Sequence, residues 1–313
     1  MAGIFTKTAR LLSQGRLGEL LDKIRAYLRF MAVSVWFRLT FREQDPELKK
    51  TNKNWVIFTY LKSKYARFVR DYTAPRGDRG TSGKIWWCWL QGEENAPPVA
   101  KACLASVRRH LSDREIVVIT ERNMADYADF PAFIKEKYRR GIISRTLFSD
   151  LLRLELLTRH GGTWIDSTVF LTGSPGYALD RELFAFKTRE RNDPATCAQN
   201  WFMSARRNDP ILSLTRDLLY EYLRKSGFVI HYFILYFFMT MASEKYADEW
   251  KRVPFFSDVP PHILQRELSD TFSEERLAQI RRMSDVHKLS YKLPEPSSGN
   301  EETFLRRILD GES

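Results

Sequence analysis

The 313-residue chain is 43% hydrophobic, enough apolar material for a substantial core, which excludes a disordered or low-complexity protein. Its three cysteines, Cys88, Cys103 and Cys197, are too few and too scattered for a disulfide framework and stand in no metal-binding spacing, so a reducing compartment fits. The net charge of +11 is uneven, with 17 Lys/Arg against 7 Asp/Glu in residues 1–82 and 33 against 32 in the remainder, so the basic character belongs to the first quarter.

No apolar stretch near the N-terminus is followed by a small-residue cleavage site, so no secretory signal is expected. Leu17 to Phe41 places Leu17, Leu20, Leu21, Ile24, Leu28 and Met31 at helical spacing, with Lys23, Arg25, Arg29 and Arg38 mostly on other faces. This basic amphipathic helix, with Lys49, Lys50, Lys53, Lys62, Lys64, Arg67 and Arg70 behind it, suits either docking on an anionic membrane surface or a solvated extension covering the main domain. Nucleic acid is disfavoured as a partner, because no nucleic-acid motif accompanies the charge.

Thr73 to Gly83 (TAPRGDRGTSG) reads as a linker. Lys84 to Leu90 (KIWWCWL) is too apolar for a half-exposed strand and predicts a sheet covered on both faces. Pro97 and Pro98 open a helix with Val99, Cys103 and Val107 on one stripe, and Glu115 to Thr120 (EIVVIT) gives a second strand. Strand, helix and strand in this order form a βαβ unit with parallel strands. Such sheets bind ligands at their strands' carboxyl ends, where Gln91 and Asn123 fall. No GxGxxG follows the first strand, which disfavours a nicotinamide-dependent enzyme.

A short helix is predicted over Phe133 to Arg140, and Ser144 caps the next, which runs to about Arg159. Leucines occupy most of that second helix's circumference, so it is buried nearly all round, yet Asp150 and Arg153 sit three apart on one face. The pair reads either as a buried ion pair or as a ligand contact, since enclosed pairs gain little over apolar replacements. Gly161-Gly162 stops the helix. Thr163 to Ile165 starts a third strand, continued by Val169 to Leu171, that carries Asp166 at its carboxyl end, a position suited to a metal, a hydroxyl or a turn.

Glu182 to Lys187 and Asn200 to Ala205 are further strands, and Pro210 to Leu223 is a helix. The run Phe228 to Met241 is shorter than the roughly 20 residues of a membrane span and reads as a buried helix around a core histidine, His231. From Val259 the tail is read as helical. The domain plan is therefore a basic helical region over 1–82, a catalytic domain over 83–260 and a helical tail over 261–313.

Taken together, KIWWCWLQG, the APP turn, IVVIT with Asn123, SDLLR and HGGTWIDSTV resemble the family 32 type glycosyltransferases with a sugar-binding-region DXD motif, and within them the capsular polysaccharide synthesis branch. The resemblance implies an α/β GT-A fold, Rossmann-like with a mostly parallel sheet flanked by helices, and retaining transfer of a sugar from a nucleotide-sugar donor. It makes Trp89 the aromatic that stacks on the base, Asn123 a nucleoside contact, Asp150 and Arg153 the grip on the donor sugar, and Asp166 the first Asp of the DXD motif. The second Asp is Thr168 here, and a hydroxyl is a poorer ligand for a hard cation such as Mn²⁺ or Mg²⁺. Two arrangements follow: Asp166 holds the metal with help from His287 in the tail, or cationic side chains such as Lys288 take the metal's place at the diphosphate. The implied acceptor is a glycan or lipid-linked oligosaccharide, and the implied location is cytoplasmic, on the inner face of the membrane. The rival reading is a noncatalytic scaffold that binds a nucleotide sugar or glycan.

Overall fold

The computed structural model describes residues 46–188, 193–291 and 302–311, with isolated positions between 21 and 35. The helix predicted over Leu17 to Phe41 falls almost wholly outside the described residues. Among those that are described, no helix is long and apolar enough to cross a membrane.

The centre is a five-stranded sheet in the order β2-β1-β3-β6-β5, formed by β1 (Ile85–Cys88), β2 (Ile116–Ile119), β3 (Gly162–Ile165), β5 (Leu183–Lys187) and β6 (Ala198–Ala205). Strands β1, β2 and β3 are mutually parallel. β6 is antiparallel to both β3 and β5, so four of the five strands run the same way. The chain leaves β1 to place β2 on one side and β3 on the other. The carboxyl ends of β1 and β3 therefore flank a topological switch point, where open α/β sheets form their crevice.

Alternation along the strands explains the double coverage that KIWWCWL predicts. Trp86, Trp164 and Met203 face a layer made by α1 (Pro46–Asp71), α4 (Arg145–His160), α5 (Pro210–Lys225) and α6 (Ile234–Lys245), all within one apolar cluster. Ile85, Ile165, Phe184 and Phe202 face the other way, toward Val107 of α2 (Pro98–His110) and Val169 and Leu171 of β4 (Val169–Leu171). On α2, Val99, Cys103 and Val107 are all buried, as their stripe requires. Between β2 and α4 lies α3 (Ala132–Arg139). Ser144 caps α4, its hydroxyl accepting from the Leu147 amide at 3.2 Å.

The diglycine after α4 is a steric requirement. Gly162 has φ of +99°, and a Cβ there would stand 2.5 Å from the Lys84 carbonyl oxygen and 3.0 Å from the Trp86 indole nitrogen. That close approach lets β3 seat against β1.

Three elements differ from the sequence expectation. Val169 to Leu171 does not extend β3: the Val169 amide bonds back to the Asp166 carbonyl at 2.9 Å, and β4 leaves the main sheet to pair antiparallel with β7 (Val286–Lys288). The tail read as helical thus supplies a strand as well as α7 (Glu274–Met283). His231 lies before α6 rather than within it, and its Nδ1 accepts from the Phe233 amide at 3.1 Å. Aromatic content marked the right region, but a local turn, which periodicity does not register, sets where the helix begins.

Candidate active site

Four elements meet at the carboxyl edge of β1 and β3. Helix α4 contributes Asp150 and Arg153, one turn apart. The turn between β3 and β4 contributes Asp166 and Thr168, β6 contributes Asn200, and β7 contributes Lys288.

Arg153 is the hub. Its Nη2 lies 3.2 Å from Asp150 Oδ1 and 3.1 Å from Asp166 Oδ1, and Nη1 donates to the Asn200 carbonyl. The guanidinium sits 4.9 Å from the centre of the Trp164 ring. With only 4% of its side chain exposed, Arg153 spends its donors on protein acceptors, so it orients the two carboxylates rather than reaching outward.

Asp150 Oδ1, which faces Arg153, also accepts from Asn200 Nδ2 at 3.0 Å; the other oxygen carries neither contact. The Asn200 amide oxygen accepts in turn from the Tyr236 hydroxyl at 2.7 Å. Burial pushes the Asp150 carboxyl up to about 6, with Asp166 adding to the shift while Arg153 and Asn200 oppose it. At Asp166 burial also favours the neutral acid, but Arg153, Lys288 and the Trp164 N–H together outweigh it and hold the carboxyl below its ordinary range. Asp166 Oδ1 accepts from Trp164 Nε1 at 2.8 Å, and Oδ2 lies 3.3 Å from Lys288 Nζ. Lys288 also donates to the Thr168 hydroxyl.

A profile of the capsular polysaccharide synthesis proteins matches residues 38–308, nearly the whole chain. The chain belongs to that family. Among solved structures, the PaToxG glycosyltransferase is similar to this chain at 13% identity, covering 75% of this chain and 99% of that one with a TM-score of 0.39. A likeness that distant says nothing of activity. No curated protein matches the chain.

In this family member Asp150, Arg153, Asp166 and Lys288 are joined by direct contacts, in which Trp89, Asn123 and His287 take no part. Trp89, just past β1, meets Tyr291 edge-on at 6.0 Å, and its buried indole N–H has no partner among the described residues. Asn123 is spent on its own chain, accepting from the Thr120 amide at 2.8 Å and donating to the Val118 carbonyl at 2.9 Å. His287 alternates to the opposite face of β7 from Lys288; it is fully buried, with Nε2 2.9 Å from the Thr172 hydroxyl. Burial, helped by Arg281, pushes its pKa down to about 3.

The residues around Asp166 do not suit a hard divalent cation. Among the described residues no three Asp, Glu, His or Cys side chains gather, both Asp166 oxygens already face cationic groups, and the Thr168 hydroxyl is taken by Lys288. A cation of this kind takes several oxygen ligands.

Three residues of this cluster carry no sequence signal strong enough to single them out. Asn200 lies near the start of an apolar strand, and Tyr236 is one aromatic among many in its run. Cys88 ends β1 close enough to Arg153 and Asp166 to feel their charge, while burial pushes its thiol up to about 12.

Proposed function

We propose that this protein is a glycosyltransferase that moves a sugar from a nucleotide-sugar donor to a hydroxyl of a glycan or lipid-linked oligosaccharide in capsule or surface polysaccharide assembly, with retention at the anomeric carbon. The carrying observation is the Asp150, Arg153, Asp166 and Lys288 network at the switch point of the sheet, in a member of a capsular polysaccharide synthesis family.

Asp150 is built to hold a sugar. One oxygen is anchored by Arg153 and Asn200, and the other is left to accept from hydroxyl groups, with its direction fixed in advance. Loss of the donor's nucleoside diphosphate leaves an oxocarbenium-like sugar, which two adjacent carboxylates stabilise. The Cys88 thiol is held protonated by burial, and the open oxygen of Asp150 is assigned to the donor sugar's hydroxyls rather than to its anomeric carbon. The acceptor hydroxyl therefore attacks from the side of the departing diphosphate, and no glycosyl-enzyme forms.

Mass spectrometry of the purified chain incubated with a panel of nucleotide sugars tests this reading. The expected outcome is slow hydrolysis of one donor, or its transfer to a simple acceptor, without a mass increase on the protein. Failure to bind or turn over any nucleotide sugar would refute the function, and a trapped covalent glycosyl-enzyme would refute the front-face route.

A further inference from the structure

The turn that carries Asp166 and Thr168 is filled by a cation belonging to the chain itself. β7 pairs with β4 in the register Val169 opposite Lys288, and the Leu289 amide bonds to the Thr168 carbonyl at 2.8 Å. This pairing fixes the backbone at Lys288 against the turn, and its ammonium enters between the Asp166 carboxylate and the Thr168 hydroxyl. An ammonium has three N–H donors. Two contacts are made here, so one donor remains for a ligand, and the side chain is 19% exposed and reachable.

Charge balance points the same way. Asp150 and Asp166 are matched by Arg153 and Lys288, so the enclosed cluster is formally neutral. A divalent cation at Asp166 would have to displace or stand beside the Arg153 guanidinium and the Lys288 ammonium, which already face both of its carboxylate oxygens. Adding a diphosphate instead brings negative charge to an ammonium that is held in place but not saturated.

Resting on the glycosyltransferase reading above, we infer that Lys288 is the built-in counter-cation of the donor's diphosphate, so that this protein binds and cleaves its donor without a divalent metal. The bond between the anomeric carbon and the phosphate oxygen breaks, and its electron pair stays on that oxygen. The acceptor hydroxyl oxygen bonds to the anomeric carbon and its proton passes to the departing phosphate. Lys288 remains protonated and stabilises the growing phosphate charge.

The test is calorimetric titration of the full chain with uridine, guanosine, adenosine and thymidine diphosphates, each in EDTA and in Mn²⁺. One diphosphate is expected to bind in EDTA within about twofold of its affinity in Mn²⁺. Lys288→Met should weaken that binding roughly 10- to 100-fold, the worth of a charged hydrogen bond, while Lys288→Arg retains most of it. Binding that requires Mn²⁺, or a folded Lys288→Met variant that binds like the parent, would overturn the inference and leave the glycosyltransferase reading standing. If Lys288→Met does not fold, the EDTA comparison on the parent and the Lys288→Arg variant still decide. Absence of binding to every diphosphate under both conditions would remove the glycosyltransferase reading and this inference with it.

Discussion

Helix α4 buries two clusters of charge barely a turn apart, and they end differently. Asp150 and Arg153 open onto the carboxyl edge of the sheet, where one oxygen of Asp150 and one donor of Lys288 remain for a ligand. Glu155, on the next turn, is locked against α5: its carboxylate accepts from the Tyr220 hydroxyl at 3.0 Å and faces Arg216 at 3.6 Å. Arg216 donates to Thr158 at 2.9 Å and pairs with Asp217 at 2.9 Å, and Asp217 accepts from Tyr72, the residue that follows α1, at 2.8 Å. Every member of that second cluster finds a protein partner, so it fastens three helices together and presents nothing to a ligand. Buried charge alone therefore does not mark a site. A valence left over after the fold is satisfied does.

Substitution on each side should separate the two clusters. Asp150→Asn and Asp166→Asn are each expected to lower transfer by about 100- to 1000-fold or more in a steady-state assay, since each removes a preorganised carboxylate from the reacting sugar. Asp150→Asn should leave the melting temperature unchanged or higher, because the folded state raises this carboxyl from 3.8 to about 6, a cost of roughly 2 to 3 kcal/mol at neutral pH. Glu155→Gln should do the reverse. Activity per folded molecule stays at the parental level, while denaturant melts show a loss of about 1 to 3 kcal/mol from a broken buried network. A Glu155→Gln variant that loses activity without losing stability would erase the distinction.

The distinction was half legible in the sequence. Asp150 and Arg153 are three residues apart in a leucine helix, so their spacing announces a shared face. The partners of Glu155 are long-range, with Tyr220 65 residues on, so no local pattern shows that its charge is satisfied. The same limit explains Asn200 and Tyr236, which join the site only because β6 and α6 pack beside α4. Strands β1 to β3 were readable because their apolar runs are bounded by glycine, proline and polar turns. The departure of β4 was not, because Val-Phe-Leu continues the apolar run while the turn at Asp166 to Thr168 redirects the chain. His287 and Lys288 are neighbours in sequence, but a strand sends them to opposite faces, and the tail's strand was hidden in a region that composition reads as helical.

Proton titration offers the smallest and most specific way to sharpen the comparison. Asp150 is faced by Arg153 on its own helix, by Asp166 from the turn after β3 and by Tyr236 and Tyr232 around the start of α6. With its carboxyl pushed up to about 6, Asp150 is mostly ionised at pH 7.5 and mostly neutral at pH 5. Protonation puts a hydrogen on the oxygen left for the sugar and removes the carboxylate's charge, so donor turnover at subsaturating concentration should fall about tenfold over that interval. The stability change has the opposite sign: a folded-state carboxyl raised above its unfolded value favours the fold below about pH 4, and that contribution is lost as pH rises through 6. Asp209, also pushed up to about 6 by burial, titrates in the same window, but it caps α5 through the Ile211 and Leu212 amides. The residual turnover of Asp150→Asn should therefore be flat from pH 5 to 7.5 while Glu155→Gln keeps the parental slope. A slope that survives in Asp150→Asn would place the titrating group elsewhere and return Asp150 to the same standing as Glu155.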